Sequence, residues 1–239
     1  MNEYQGLENT ELYENLFHYK ERRSNLRFFT VLLLVVAFLL TIVGAWRARF
    51  GGVEVSGSSM ENTFSNGDFL LMRRYFEGDE LEYGSVIVVY IGDYDEVKAY
   101  NAEQRVKNPN WVDTTIIIKR LIAKEGDTVR CKNGVVEVRY AGTSEYVKLN
   151  EDYARYTNAQ EYDFQTEYVV GEGEIFFLGD NRNVSMDSRY NEGYSHLKGL
   201  YKQSDIYGVV PEWAIEHKDV LENIFFWRNK LERRGHAGR

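Results

Sequence analysis

Residues 114–122 read Thr114-Thr115-Ile116-Ile117-Ile118-Lys119-Arg120-Leu121-Ile122. Branching at Cβ favours the pleated chain over the helix, so the run reads as a strand. Strand alternation puts Lys119 on the same face as the apolar Ile117 and Leu121. A lysine among isoleucines has two readings. It can lie, beside Arg120, on the wet face of a half-buried strand, or it can be buried and kept neutral. The second needs a shift of about three pH units from its ordinary value near 10.4, or roughly 4 kcal/mol against the charged form, and yields a base working near neutrality.

Outward from this run the same grammar continues. Short β-branched and aromatic runs at Phe69–Arg73, Ser85–Ile91, Val135–Tyr140, Tyr168–Val170 and Ile175–Leu178 alternate with Gly, Asn and Asp, which predicts a mostly β domain over residues 51–211. Asn66-Gly67 and Asn133-Gly134 mark tight turns, because both residues tolerate positive φ. Two polar, Tyr-rich stretches, about 92–113 and 132–170, read as insertions over the core, with no sustained helical period. Residues 212–239 carry spaced apolar side chains and end in Arg228, Lys230, Arg233 and Arg234, which predicts an amphipathic, basic C-terminal helix.

Before the β region, Phe28–Trp46 (FFTVLLLVVAFLLTIVGAW) holds 19 residues without a charge between Arg27 and Arg47. That length nearly crosses a bilayer core of about 30 Å and exceeds the apolar stretch of a cleavable signal, so one transmembrane helix over 28–46 is expected. Lys20, Arg22, Arg23 and Arg27 precede it and only Arg47 and Arg49 follow closely. Basic residues stay inside, so residues 1–27 form a cytoplasmic tail and the domain lies outside the cell membrane. The whole chain has 239 residues and a net charge of −8, with −12 over 51–217. That balance excludes the basic footprint of a nucleic-acid binder, and the single Cys131 excludes an internal disulfide or a multi-cysteine zinc site.

Two further stretches bear reactive groups. Ser56-Gly57-Ser58-Ser59-Met60 follows the apolar segment closely, and Gly179-Asp180-Asn181-Arg182-Asn183-Val184-Ser185-Met186-Asp187-Ser188-Arg189 packs two acids and two arginines into eleven residues. Each alone reads first as a loop. The first is not a G-x-S-x-G elbow, since Glu61 stands where the second glycine belongs. The domain offers two histidines, His196 and His217, without evident partners, so a serine nucleophile must find its base elsewhere.

Taken together, SGSSMENTF, IIIKRLIAKEGD and GDNRNVSMDSR resemble the bacterial type I signal peptidases, membrane-anchored Ser–Lys enzymes, over about residues 28–210. The resemblance implies a signal-peptidase-like β catalytic domain with an inserted subdomain. It implies Ser59 as nucleophile, Lys119 as general base, Ser185 hydrogen-bonded to Lys119, and Arg120, Asp180, Arg182, Asp187 and Arg189 as an ion-paired support. Gly57, Ser58 and Met60 fall in the substrate and oxyanion region. It implies cleavage of preprotein signal peptides at Ala-x-Ala sites on a lipid membrane, without metal or cofactor. A peptidase dedicated to one pilin-type precursor and a catalytically silent assembly partner are the alternatives. The chain departs from the family pattern at Asn62 and Glu125, where Pro is usual, and at Ser85, where Asp is usual.

Overall fold

A computed structural model of the chain describes residues 3–77, 79–109, 111, 113–156, 167–189 and 201–225. The chain divides into two units, residues 1–49 and 50–239. The first is one continuous helix, α1 (Glu3–Arg49). The stretch expected as a tail is helical from Glu3 onward, because it is rich in Glu, Leu, Lys and Arg and contains no Pro. The helix is long and apolar enough from Tyr13 to Arg49 to cross a membrane. Within that apolar stretch Thr30 and Thr41 bond inside the helix, Thr30 Oγ1 to Leu26 O at 2.8 Å and Thr41 Oγ1 to Phe38 O at 2.6 Å, the way hydroxyls are satisfied without water.

The second unit carries β1 (Phe50–Glu54), β2 (Phe69–Arg74), β3 (Val86–Tyr90), α2 (Asp95–Lys107), β4 (Ile116–Lys124), β5 (Thr128–Lys132), β6 (Val135–Arg139), β7 (Val147–Lys148), β8 (Tyr168–Val169), β9 (Glu174–Leu178), β10 (Tyr201–Lys202), β11 (Ile206–Val210), α3 (Glu212–Glu216) and α4 (Lys218–Phe225). The domain is therefore mostly β. Seven strands form one sheet in the order β1-β2-β11-β3-β4-β9-β10, and four form a second in the order β7-β6-β5-β8. Pairing between these strands is antiparallel.

Both faces of the large sheet are covered, which explains the unbroken apolar runs of β3 and β9. Ile87, Val89, Ile117, Leu121 and Phe177 point into one cluster. Val86, Val88, Ile118 and Val210 point into a second that also holds Met60 and Phe64. The third, between the two sheets, takes Ile122, Val129, Val138, Phe176 and Leu178. In the β3–β4 ladder Lys119 stands opposite Ile87, so its stem is set among core residues.

Three expectations change. The stretch 92–113 contains a helix, α2, and its missing apolar period has a physical reason: Val97 and Asn101 are its buried residues. Asn101 ties the helix back through a 2.8 Å bond from Nδ2 to Thr114 O and a 2.9 Å bond from Thr114 N to Oδ1. The C-terminal helix is broken at His217 into α3 and α4, and its basic end, with Arg228, Lys230, Arg233 and Arg234, lies outside the described residues. Asn133-Gly134 forms the tight β5–β6 turn with φ of 51° and 74°, whereas of Asn66-Gly67 Gly67 alone has positive φ.

Candidate active site

Ser59 sits in the turn that follows β1, partly exposed. The turn is held from below: Met60 and Phe64 are buried in the core, and Gly67 N–H donates to Val55 O at 2.7 Å. Met60, assigned to the substrate region, is 1% exposed; it both anchors the turn and lines the groove beside Ser59. Gly57 has φ of 89° and gives its N–H to Asn66 Oδ1 at 2.8 Å, and Ser58 O accepts from Glu61 N at 3.1 Å. Asn62 adopts φ of 96°, a conformation that the proline ring forbids and asparagine tolerates.

Lys119 reaches this turn from β4. Its Nζ donates to Ser59 Oγ at 2.9 Å and to Ile118 O at 2.9 Å. The residue is 3% exposed, and this burial lowers its pKa to about 8, with Asp187 and Asp180 pulling upward and Arg189 downward. An amine in that range is a competent base near neutrality. The pair opens on a groove of about 540 Å³ lined by Val53–Met60, Asp113–Lys119, Tyr100, Trp111, Val184 and Met186.

The 179–189 loop backs the pair. Asn181 N–H donates to Ser59 O at 3.0 Å, which fixes the serine's carbonyl. Gly179 lies so close that a Cβ there would fall 2.6 Å from Ser59 O and 2.0 Å from Ser185 Oγ. Ser185 is buried, and its hydroxyl supports the Asp187 carboxylate, which it helps to hold ionised. Its expected bond to Lys119 is thus absent: the amine bonds Ser59 Oγ and a backbone carbonyl instead.

The ion pairs also differ from an internally paired loop. Asp187 does pair within it, accepting from Arg189 Nε at 2.7 Å and Nη2 at 2.8 Å and from Gly179 N at 2.9 Å. Burial opposes ionisation there, but Arg189 and these bonds hold the carboxyl below its ordinary value. Asp180 instead takes a two-pronged bond from Arg120 of β4, at 2.8 and 2.7 Å, together with the Thr63 hydroxyl. Arg182, 2% exposed, pairs with Glu151 from the inserted segment and donates to Tyr156 Oη.

Sequence reading missed Thr63, Glu151 and Tyr153. Thr63 was visible inside SGSSMENTF. Glu151 and Tyr153, whose ring lies 3.9 Å from the Arg120 guanidinium carbon, come from a stretch with no local sign of where it would fold. His196 lies outside the described residues, and His217 bonds Trp213 O at 2.9 Å, at the break between α3 and α4.

With this geometry in place, the comparisons are specific. The model of the family described as signal peptidase, peptidase S26, matches residues 26–213. The chain belongs to that family. It is 27% identical over 199 residues to signal peptidase I P of Bacillus subtilis subsp. natto, covering 80% of this chain and 89% of that protein. It is 28% identical over 180 residues to the probable signal peptidase I-1 of Synechocystis sp., covering 74% and 76% respectively. The crystal structure of a signal peptidase I from Enterococcus faecalis V583 is similar over 56% of this chain and 98% of its own, with 21% identity and a TM-score of 0.34. This family member is accordingly a peptidase, and the family acts on the signal peptides of preproteins.

Proposed function

We propose that the chain is a membrane-bound serine endopeptidase that removes signal peptides at small-residue, Ala-x-Ala type sites with Ser59 and Lys119 as its catalytic pair. The 2.9 Å contact between Lys119 Nζ and Ser59 Oγ, with the lysine buried and its pKa near 8, carries this reading. In the neutral state the direction of that bond reverses, and the Ser59 hydroxyl donates to the amine. Ser59 Oγ attacks the scissile carbonyl as its proton passes to Nζ. The lysine then returns that proton to the leaving amine, and water, activated by the same amine, hydrolyses the acyl-enzyme.

The oxyanion needs a fixed donor. Gly57 has no hydroxyl, and the Ser59 N–H has no acceptor among the described residues, so this N–H is aimed at the developing charge. Ser185 acts by filling space against Gly179 behind the pair, while Arg120, Asp180, Arg182, Asp187 and Arg189 hold the loop. The substrate lies extended along the outer edge of β1, the terminal strand of the sheet, which borders the groove through Val53 and Glu54. α1 anchors the enzyme, with residues 1–27 cytoplasmic and the peptidase domain outside.

The test is to incubate the detergent-solubilised protein with a preprotein and locate the cut by mass spectrometry. Cleavage after a small residue that is lost in Ser59→Ala supports the reading; cleavage that persists in that variant overturns it.

A further inference from the structure

The inserted stretch 92–113 lies outside the three motifs that bear the reacting groups, yet it supplies part of the wall of the groove. Tyr100, from α2, and Trp111, from the connection into β4, both line it. Their rings meet edge-on, with centroids 5.9 Å apart and planes at 84°. Neither ring belongs to the three apolar clusters of the core. Trp111 is nevertheless pinned at backbone and ring. Its N–H donates to Asn108 O at 2.9 Å, and its Nε1 donates to Asn101 Oδ1 at 3.1 Å. Asn101 is 3% exposed; the same Oδ1 accepts from Thr114 N at 2.9 Å, and Nδ2 donates to Thr114 O at 2.8 Å. One buried amide thus sets the indole against the residues that lead into β4. The nearby charge is balanced, since Asp113 pairs with Arg105 at 3.5 Å. With the indole N–H already used, what the two rings offer an incoming chain is apolar surface.

We propose that Trp111 and Tyr100 form an aromatic subsite for a bulky apolar side chain of the signal peptide, about five or six residues before the cut. The inference rests on the reading of Ser59 and Lys119 as the catalytic pair. Its distance follows from the walls of the groove. Lys119 meets Ser59 at one point, and the lining runs back from there to Asp113 on one wall and to Val53 on the other. Six residues of extended chain span about 20 Å, so a substrate strand laid in the groove brings its fifth or sixth residue to the end where Trp111 stands. The side of the cut follows from the chemistry of the substrate. Beyond the cut lies the mature protein, whose sequence differs from one precursor to the next, whereas the signal peptide is the part that precursors share. A groove that extends from the pair mainly in one direction therefore holds the signal-peptide side. Binding so far from the reacting carbonyl is felt equally in the ground state and the transition state, so it lowers KM and leaves kcat alone.

The test measures kcat and KM of the full detergent-solubilised chain on synthetic peptides with an Ala-x-Ala site. The peptides differ only in whether leucine or alanine stands at one chosen position, scanned along both sides of the cut. The readout is the ratio of kcat/KM for the leucine peptide to that for the alanine peptide. In the wild type this ratio should reach about 10 at the fifth or sixth residue before the cut, through KM, as burial of much of a leucine side chain provides. It should fall close to one in Trp111→Ala, fall part of the way in Tyr100→Ala, and stay at the wild-type value in Val106→Ala, whose side chain on α2 is 85% exposed. Where Trp111→Ala is inactive on every peptide, the ratio in Tyr100→Ala decides in the same way. A ratio near one in the wild type, or one that the groove variants leave unchanged, overturns the inference while cleavage itself leaves the catalytic pair standing. A preference that depends on Trp111 but lies beyond the cut places the rings on the leaving side and also overturns it. Cleavage that persists in Ser59→Ala overturns the catalytic reading, and the inference with it.

Discussion

On the proposed Ser59–Lys119 mechanism, the protonation of Lys119 sets the chemistry. With a pKa of about 8, roughly a tenth of the amine is neutral at pH 7, against fewer than one in a thousand for an ordinary lysine. In that proposal the neutral form is the base, so kcat/KM should rise with pH through about 8 and level off above it; a limb near 6.5 that disappears in His196→Ala would transfer the role to histidine. Stability has its own sign. The unfolded chain binds more protons than the folded one between about pH 8 and 10.5, so the penalty is full below 8 and fades as the pH climbs toward 10.5. Lys119→Met should therefore raise the urea midpoint at pH 7 by removing a cost on the order of 3 kcal/mol, while cleavage is lost. Ser59→Ala, Lys119→Ala and the double variant should all fall to the same residual rate, since the two groups act as a unit. Both residues stood out in the sequence because a serine-rich turn and a lysine amid isoleucines conflict with simple patterning. Glu151 gave no such sign, since one exposed-looking acid resembles any other until the fold sets it beside Arg182.

The inserted segment and the 179–189 loop behave as one element. Glu151→Ala leaves the Arg182 guanidinium buried without its carboxylate, and the expected loss is about 3 kcal/mol in urea unfolding, less if Tyr156 shifts to compensate. Gly179→Ala tests a different property. Its methyl would meet Ser185 Oγ, which can turn away, and Ser59 O, which is backbone and cannot. We expect a folded domain by near-ultraviolet circular dichroism with kcat down about 100-fold, the order expected when a reacting group is displaced by an ångström. Glycine also explains why β1 and β11 were hidden. β2, β3, β4, β6, β8 and β9 were legible as β-branched and aromatic runs, but β1 reads FGGVE and β11 reads IYGVV. A Cβ on Gly208 would lie 2.9 Å from Met72 Sδ and 3.0 Å from Arg73 O. The close approach of β11 to β2 requires glycine, and the same glycine interrupts the pattern that marks a strand.

For the whole molecule, orientation is the first expectation: protease added to spheroplasts should cut within residues 51–239 and spare 1–27, and the reverse pattern would invert the topology. The division into an apolar helix and a β domain was plain in the sequence, since charge and hydropathy change together near residue 50. The order of strands was not, because pairing between distant segments leaves no mark in either one. That order has a temporal consequence. Ser59 follows β1, which pairs with β2, and Lys119 lies on β4, which pairs with β3; within the sheet β11 alone joins β2 to β3. A chain emerging from the ribosome thus has its proposed nucleophile and base on separate hairpins until residue 210 arrives. Such long-range closure comes late in folding. A chain that stops at Asp205 should have no peptidase activity, and on the proposed topology the nascent enzyme should pass through its own export with its two reactive groups still apart, inert toward the precursors crossing beside it.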